Sequence, residues 1–312
     1  MQLYVFSQHY LDSDEFLIYT KTIKAESEDF SMKTLGYYNG TLGELDTLTV
    51  PFNDRVHFFG DGVYEATLAR NFTIFALDEH IDRLYRSASM VDIKIRETKE
   101  EMKGILCNLV KKLDDGDQLV YWQVTRGTQV RNHTYPADML GNLWVVLKPG
   151  KLKDAHTPVS AITAPDTRFF HCNIKTLNLL PAVLYAQRAE SQGVYESILY
   201  REGGRVTECS HSNVHIITNE GKFKTAPCDN LILPGIARAH LIKACISLGI
   251  EVDETPFSLE EMMNAAEVII SSSTAPFRHC VNIDGKSVGG RAPEIVDRLR
   301  NFVIDEFMKA TD

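Results

Sequence analysis

Residues 171–187 read HCNIKTLNLLPAVLYAQ. Ile174, Leu177, Leu179, Leu180, Val183 and Leu184 are apolar, a density that predicts a buried helix with Lys175 at its threshold. A charged amine there loses hydration. A lysine at a helix start ordinarily snorkels to solvent along its alkyl stem. In an apolar setting its pKa falls instead, and the neutral amine becomes a nucleophile able to form a Schiff base. The residues flanking Lys175 favour the second reading without establishing it.

Upstream of this run, residues 148–158 (KPGKLKDAHTP) lose apolar density and gather Pro, Gly and Lys. They mark a boundary between an N-terminal domain, residues 1–150, and a C-terminal domain, residues 151–312. The first domain reads, after a mixed polar opening to about Ser31, as short strands and a hairpin, then a strand pair turning at Arg70–Asn71. A helix with Ile81, Leu84, Ala88 and Val91 on one face follows, with Asp78 as its expected N-cap. A second amphipathic helix is expected to end at Gly116, and QLVYWQVTRGT and NLWVVLKPG complete the domain as strands. The second domain reads as a strand (VSAITA), the helix of the opening run, and hairpins turning at Gly203–Gly204 and Glu220–Gly221. A helix after LPG, the strand EVIISSS and a closing helix from about Ala292 to Met308 end it. This order predicts an α+β chain with mixed sheets in two domains, in preference to one doubly wound sheet.

Composition narrows the classes. Of 312 residues, 44% are hydrophobic and 24% charged, as in soluble globular proteins with a sizeable core. The net charge of −9 comes from 42 acidic and 33 basic side chains without a single-sign block, which argues against nucleic-acid or membrane partners. Six scattered cysteines show no C-x-x-C pair, so free thiols in a reducing cytoplasm and no metal site are expected. The first residues lack the basic and apolar regions of a secretory signal, and no run approaches the roughly 20 apolar residues that span a bilayer. The expectation is a soluble, cytoplasmic protein.

Three further features bear on Lys175. ILPGIARAHL places Gly235 before a helix, so the amides of Ile236 and Ala237 open an N-terminus suited to phosphate. IISSSTAP adds three serines, Ser273 among them, and Thr274 in a hydroxyl-rich turn after a strand. Ordinary turn chemistry explains each alone. A lysine with two phosphate-suited turns in one domain points to a phosphorylated aldehyde, pyridoxal 5'-phosphate (PLP). That cofactor needs an acid beside its pyridine nitrogen to keep the ring an electron sink. Glu208, in VTECSHSN, is placed for this, with a surface hairpin acid as the alternative.

FGDGVYE, DEHIDRLYRSA, QVTRGT, NIKTLNLL, VTECSHSNV and LILPGIAR together resemble blocks of the fold-type IV PLP-dependent aminotransferases, in the family's order. The resemblance is closest to the D-amino acid aminotransferases and runs from about Asp54 to Gly285. It implies two domains, the smaller N-terminal α/β and the larger C-terminal of pseudobarrel type. It implies that Lys175 carries PLP and shuttles the substrate Cα proton, and that Glu208 pairs with the pyridine nitrogen. Arg83 would clamp the phosphate with Ile236, Ala237, Ser273 and Thr274, and Leu233 would press on the ring. Ala237 stands where the family often has threonine, which removes one hydroxyl contact and leaves the backbone amide.

Arg131 and His133, in RGTQVRNHTYP, read by composition as an exposed polar loop. The resemblance makes them an Arg-x-His pair that reaches into a partner subunit's site and holds the substrate carboxylate, in a homodimer. Three residues before GDG the D-enzymes usually carry a tyrosine for the same carboxylate; here it is His57, which can donate the same hydrogen bond. The activity implied is ping-pong transamination between a D-amino acid such as D-alanine and a 2-oxo acid such as 2-oxoglutarate. The alternatives are a branched-chain L-amino acid aminotransferase, an aminodeoxychorismate lyase, and a PLP-free binding protein on the same scaffold.

Overall fold

Asn39 and Gly40 take left-handed backbone conformations (φ 44° and 96°), which closes β1 (Leu35–Tyr38) and β2 (Thr41–Gly43) into a two-residue hairpin. The structure, a computed structural model, describes residues 33–312. The hairpin edges an antiparallel six-stranded sheet of order β2-β1-β6-β5-β3-β4. Its other strands are β3 (Gly62–Arg70), β4 (Thr73–Ile74), β5 (Gln118–Thr125) and β6 (Asn142–Pro149). A short helix, α1 (Val56–Phe59), precedes β3. One face of the sheet packs on α2 (Leu77–Met90) and α3 (Lys99–Leu109) through Ile81, Leu84, Met102, Leu106, Trp122 and Val145.

From residue 159 on, the chain builds a second sheet of nine strands, of order β12-β11-β10-β13-β14-β7-β8-β9 with β15 on β14. These are β7 (Val159–Pro165), β8 (Glu196–Tyr200), β9 (Val206–Cys209), β10 (Asn213–Ile217), β11 (Phe223–Thr225), β12 (Val252–Asp253), β13 (Glu267–Ser272), β14 (Ala275–Ile283) and β15 (Lys286–Ser287). The sheet is mixed: β7 pairs parallel with both β8 and β14. A parallel β7–β8 pair requires a crossover, and α4 (Leu180–Ser191) supplies it. Helices α5 (Ile236–Ser247) and α7 (Pro293–Ala310) cover the sheet around Ile269 and Phe277, and the short α6 (Leu259–Met263) carries a Ser258–Glu261 capping box. The architecture is mixed α/β, as expected.

The two sheets meet where residues 174–177 run beside β3. Tyr64 N–H donates to the Lys175 carbonyl at 3.0 Å, Leu177 N–H donates to the Gly62 carbonyl at 2.9 Å, and Val63 bridges Thr176. This corrects the reading of residues 171–187 as one buried helix. Their first half uses its backbone groups on β3, so the helix begins only at Leu180, with Pro181 in its first turn. Ile174 is buried, yet Leu180, Val183 and Leu184 are 71, 56 and 63% exposed.

Smaller expectations also shift. Ala76, not Asp78, is the N-cap of α2; Asp78 lies in the first turn, where its charge suits the helix dipole. The strand turn falls one residue later, at Asn71–Phe72 (φ 50° and 61°). Helix α3 gives way to a 3₁₀ turn over Val110–Lys112, so Gly116 does not cap it. Gly116 instead makes room for the Asn71 backbone, whose Cα a side-chain Cβ would meet at 3.1 Å. Strand β14 was not anticipated: Pro276 and a turn without glycine hide it from strand and hairpin signals.

Candidate active site

The join between the sheets opens into a cavity of ≈ 330 Å³. Lys175 enters it from the 174–177 segment, with its backbone N–H 3.3 Å from Ser87 Oγ and its Nζ 4.2 Å from the centroid of the Tyr64 ring. Tyr64 and Ala66, alternate residues of β3, both line the cavity, as the period of a strand requires.

Glu208 stands at the end of β9 and is only 5% exposed. Its Oε2 accepts from Leu233 N–H (2.9 Å) and Asn213 Nδ2 (3.1 Å), and its Oε1 from Arg168 Nη1 (2.5 Å). Arg168 is itself gripped by Asp166, Nε to Oδ1 at 3.0 Å and Nη2 to Oδ2 at 2.9 Å. Burial pushes the Glu208 carboxyl above the usual range, although Arg168 and the Leu233 N–H pull against it. Gly235 leaves space for Asn213, whose Oδ1 a Cβ there would meet at 2.1 Å. Glycine is needed at 235 for room, not for an unusual φ.

Residues 233–237 run along the cavity wall, with Leu233 beside Glu208 and Pro234 beside Arg83, whose Nη1 donates to its carbonyl at 3.1 Å. Helix α5 then starts, with Gly235 as N-cap and the amides of Ile236 and Ala237 at its free end. Arg83 leaves α2 and forks onto Glu65 of β3, through Nε to Oε1 and Nη2 to Oε2, both at 2.7 Å. His80 Nδ1 lies 2.7 Å from the same Oε2. Burial raises the Glu65 pKa, but the charge and hydrogen bonds of Arg83 and the bond from His80 outweigh it and hold the carboxyl at about 2. Burial pushes His80 below the ordinary imidazole range. Glu65 thus fixes Arg83 as an oriented cation. Ser273 and Thr274, in the β13–β14 turn, line the same cavity.

This lining combines a guanidinium, open helix amides and hydroxyls with an amine and a buried carboxylate. That donor set fits a molecule bearing a phosphate, an aldehyde and a basic ring nitrogen, which is the chemistry of PLP.

Lys175, Arg83, Glu208, Leu233, Ile236, Ala237, Ser273 and Thr274 all border the one cavity. His57, Arg131 and His133 do not. They are exposed and gathered around aromatic rings of the first sheet's rim. The Arg131 guanidinium lies 5.2 Å from the Phe59 centroid, the His133 ring 5.3 Å from it, and the His57 ring edge-on to Trp144 at 6.2 Å. Sequence reasoning passed over Tyr64, Glu65, Asn213 and Arg168. Tyr64 and Glu65 sit inside the FGDGVYE block, where strand alternation could have singled them out. Arg168 carried no such signal, because a loop determines its approach to Glu208.

Residues 62–283 match the class IV amino-transferase family. A D-alanine aminotransferase from Listeria innocua is 41% identical over 278 residues, covering 87% of this chain and 96% of that protein. The branched-chain amino acid aminotransferase from Escherichia coli shares the fold, with a TM-score of 0.80 at 22% identity over 90% of this chain and 96% of that one. A further branched-chain amino acid aminotransferase, from T.th. and solved with pyridoxamine 5'-phosphate, superposes with a TM-score of 0.79 at 20% identity, over 88% and 94% of the two chains. The chain therefore belongs to the class IV amino-transferases and is a PLP-dependent aminotransferase.

Proposed function

We propose that this enzyme moves the amino group of a D-amino acid, D-alanine first, to a 2-oxo acid such as 2-oxoglutarate. The observation that carries the reading is likeness to a D-alanine aminotransferase across nearly its whole length, 41% identical over 96% of that protein. Lys175, Arg83 and Glu208 share one cavity, which supports it.

Bound PLP supplies an electron sink for the carbanion that forms at the substrate Cα. Lys175 would hold the cofactor through Nζ and would carry the substrate Cα proton on the same atom. Glu208, held in place by Asn213 and the Leu233 N–H, would pair with the ring nitrogen. Arg83, oriented by Glu65, binds the phosphate with the Ile236 and Ala237 amides and the Ser273 and Thr274 hydroxyls. Leu233 packs on the ring. Arg131 and His133 of a partner copy hold the substrate carboxylate, with His57 donating to the same group, which seats a D-enantiomer with its Cα–H towards Lys175.

A homodimer is part of this reading. Leu180, Val183 and Leu184, spaced along one face of α4, are exposed, and Val183 borders the cavity, an apolar surface of the kind that association covers. Residues 1–150 and 151–312 are taken as the two domains, one for each sheet. The described residues hold an exposed Cys228 and no helix able to cross a membrane, in keeping with a cytoplasmic location. Turnover of D-alanine and of L-leucine, each with 2-oxoglutarate, tests the proposal. D-alanine is the expected substrate; preference for L-leucine overturns it.

A further inference from the structure

Every residue from Val130 to Asp138 is exposed, so the loop that carries Arg131 and His133 has no core of its own. Its fixed points are few. Gly127 begins it with φ 123°, where a Cβ would meet the Leu140 carbonyl oxygen at 2.6 Å. Gln129 N–H donates to the Asn53 carbonyl at 3.0 Å. Between its ends, the backbone from Asn132 to Thr134 is held from outside the loop by Arg55.

Arg55 is 3% exposed. Its Nη1 donates to the Asn132 carbonyl at 2.5 Å and the Thr134 carbonyl at 3.3 Å, and its Nη2 to the His133 carbonyl at 3.3 Å. Three consecutive carbonyls immediately after Arg131 therefore converge on one guanidinium. Its Nε is fixed by Asp61 Oδ2 at 2.8 Å, and Asp61 also accepts from Arg126 Nε at 2.9 Å. One carboxylate thus serves two buried cations, and carbonyl dipoles and aromatic faces meet the remaining charge. The Arg126 guanidinium lies 3.7 Å from the centroid of Tyr135, and that of Arg55 lies 4.9 Å from Phe59, the ring that Arg131 and His133 also flank.

We infer that Arg55 is a positioning residue for substrate carboxylate recognition, fixing the 131–134 backbone so that Arg131 and His133 project together. The inference rests on the reading that these two side chains hold the carboxylate. A rigid planar fork reaches three carbonyls at once; an ammonium at the end of a flexible stem does not. Arg55→Lys therefore keeps the charge and loses the geometry.

The test compares the holoenzymes of wild type, Arg55→Lys, Arg131→Ala/His133→Ala and the triple variant. The readouts are steady-state kinetics with D-alanine, competitive inhibition by propionate, and amide hydrogen exchange. In Arg55→Lys, KM and the propionate Ki should each rise by about tenfold or more while kcat moves by less than about threefold. Exchange should speed up over residues 128–138 and not in the second sheet. In the Arg131→Ala/His133→Ala background, adding Arg55→Lys should change either constant by less than about twofold, since groups acting as a unit are not additive. Full additivity, or unchanged KM with the loop still protected, overturns the inference. If Arg131→Ala/His133→Ala leaves both constants unchanged, the carboxylate reading falls and this inference with it. If only Arg55→Lys is silent, the inference alone falls. Should Arg55→Lys not fold, Tyr135→Ala removes an exposed member of the same stack and should give the same rise in KM and the same local exchange; wild-type values of both overturn the inference.

Discussion

Replacing Glu65 with Gln removes the anion that orients Arg83 and tests whether the cavity's phosphate end is built in advance. Glu65 receives three donors: Arg83 Nε on Oε1, and Arg83 Nη2 with His80 Nδ1 on Oε2. A glutamine offers one acceptor oxygen and turns an NH₂ donor towards the remaining partners. The folded pKa of Glu65, about 2 against an ordinary 4.5, corresponds to about 3 kcal/mol of stability at neutral pH. Breaking a buried pair by removing one partner generally costs about 3–5 kcal/mol, so the two routes agree. The unfolded chain takes up this proton near pH 4.5 and the folded chain only near pH 2. The contribution is therefore fully present above about pH 4.5 and disappears as pH falls towards 2.

Urea unfolding of the cofactor-free proteins reads the difference directly. At pH 7 the Gln variant should be about 3 kcal/mol less stable than wild type, and the gap should shrink steadily below pH 4.5. If Arg83 meets the PLP phosphate as proposed, the bound cofactor returns a counter-charge to it, and the gap should be smaller between the holoenzymes. A cofactor-free variant within about 1 kcal/mol of wild type at pH 7, or a gap independent of pH, refutes the reasoning.

Lys175→Ala should leave no peptide labelled by borohydride, whereas wild type is labelled on the peptide containing Lys175; a label on another lysine contradicts the assignment. Glu208→Gln should cut kcat by several orders of magnitude, which steady-state kinetics checks. Near-normal turnover would make this acid structural. A forced heterodimer of Arg131→Ala and Lys175→Ala subunits should recover up to about half the wild-type activity, because a cross-subunit trap places both defects in one site. An inactive heterodimer would show that Arg131 serves its own chain.

What the sequence disclosed depended on how local each cause was. The start of α5 after Gly235 was legible because a phosphate-suited helix end is written in adjacent residues. The same holds for the hairpin at Gly221, where a φ of 82° calls for glycine. The run at 171–187 misled for the opposite reason. Its apolar density is real, but residues 174–177 are claimed by β3, more than a hundred positions away, and pairing across that distance leaves no local pattern. Of the cavity's charges, Lys175 and Glu208 could be picked out by setting and order. Arg168 could not, because it is defined by the partner it meets.

Glu65 and Glu208 show how one protein gives two buried carboxylates opposite characters. Glu65 faces Arg83, which forks onto it with two bonds, and His80 adds a third. Attraction wins over burial, and the group is a fixed anion that stabilises the fold. Glu208 is as deeply placed, but its cation is shared: Arg168 directs two bonds to Asp166 and only one to Glu208. Burial wins there, and the carboxyl is pushed up. A folded pKa above the unfolded one means that ionising Glu208 costs stability as pH rises past it, the reverse of Glu65. The charge of Glu65 thus supports the fold, whereas that of Glu208 carries a burial cost that its partners only partly offset. The strain at Glu208 has a chemical use. A buried carboxyl short of positive charge favours a cationic neighbour, and a basic ring nitrogen becomes that cation by taking a proton. The protein thus holds one acid firmly on Arg83 and leaves the other with a burial cost that, on the proposed reading, the protonated ring nitrogen of the cofactor would offset.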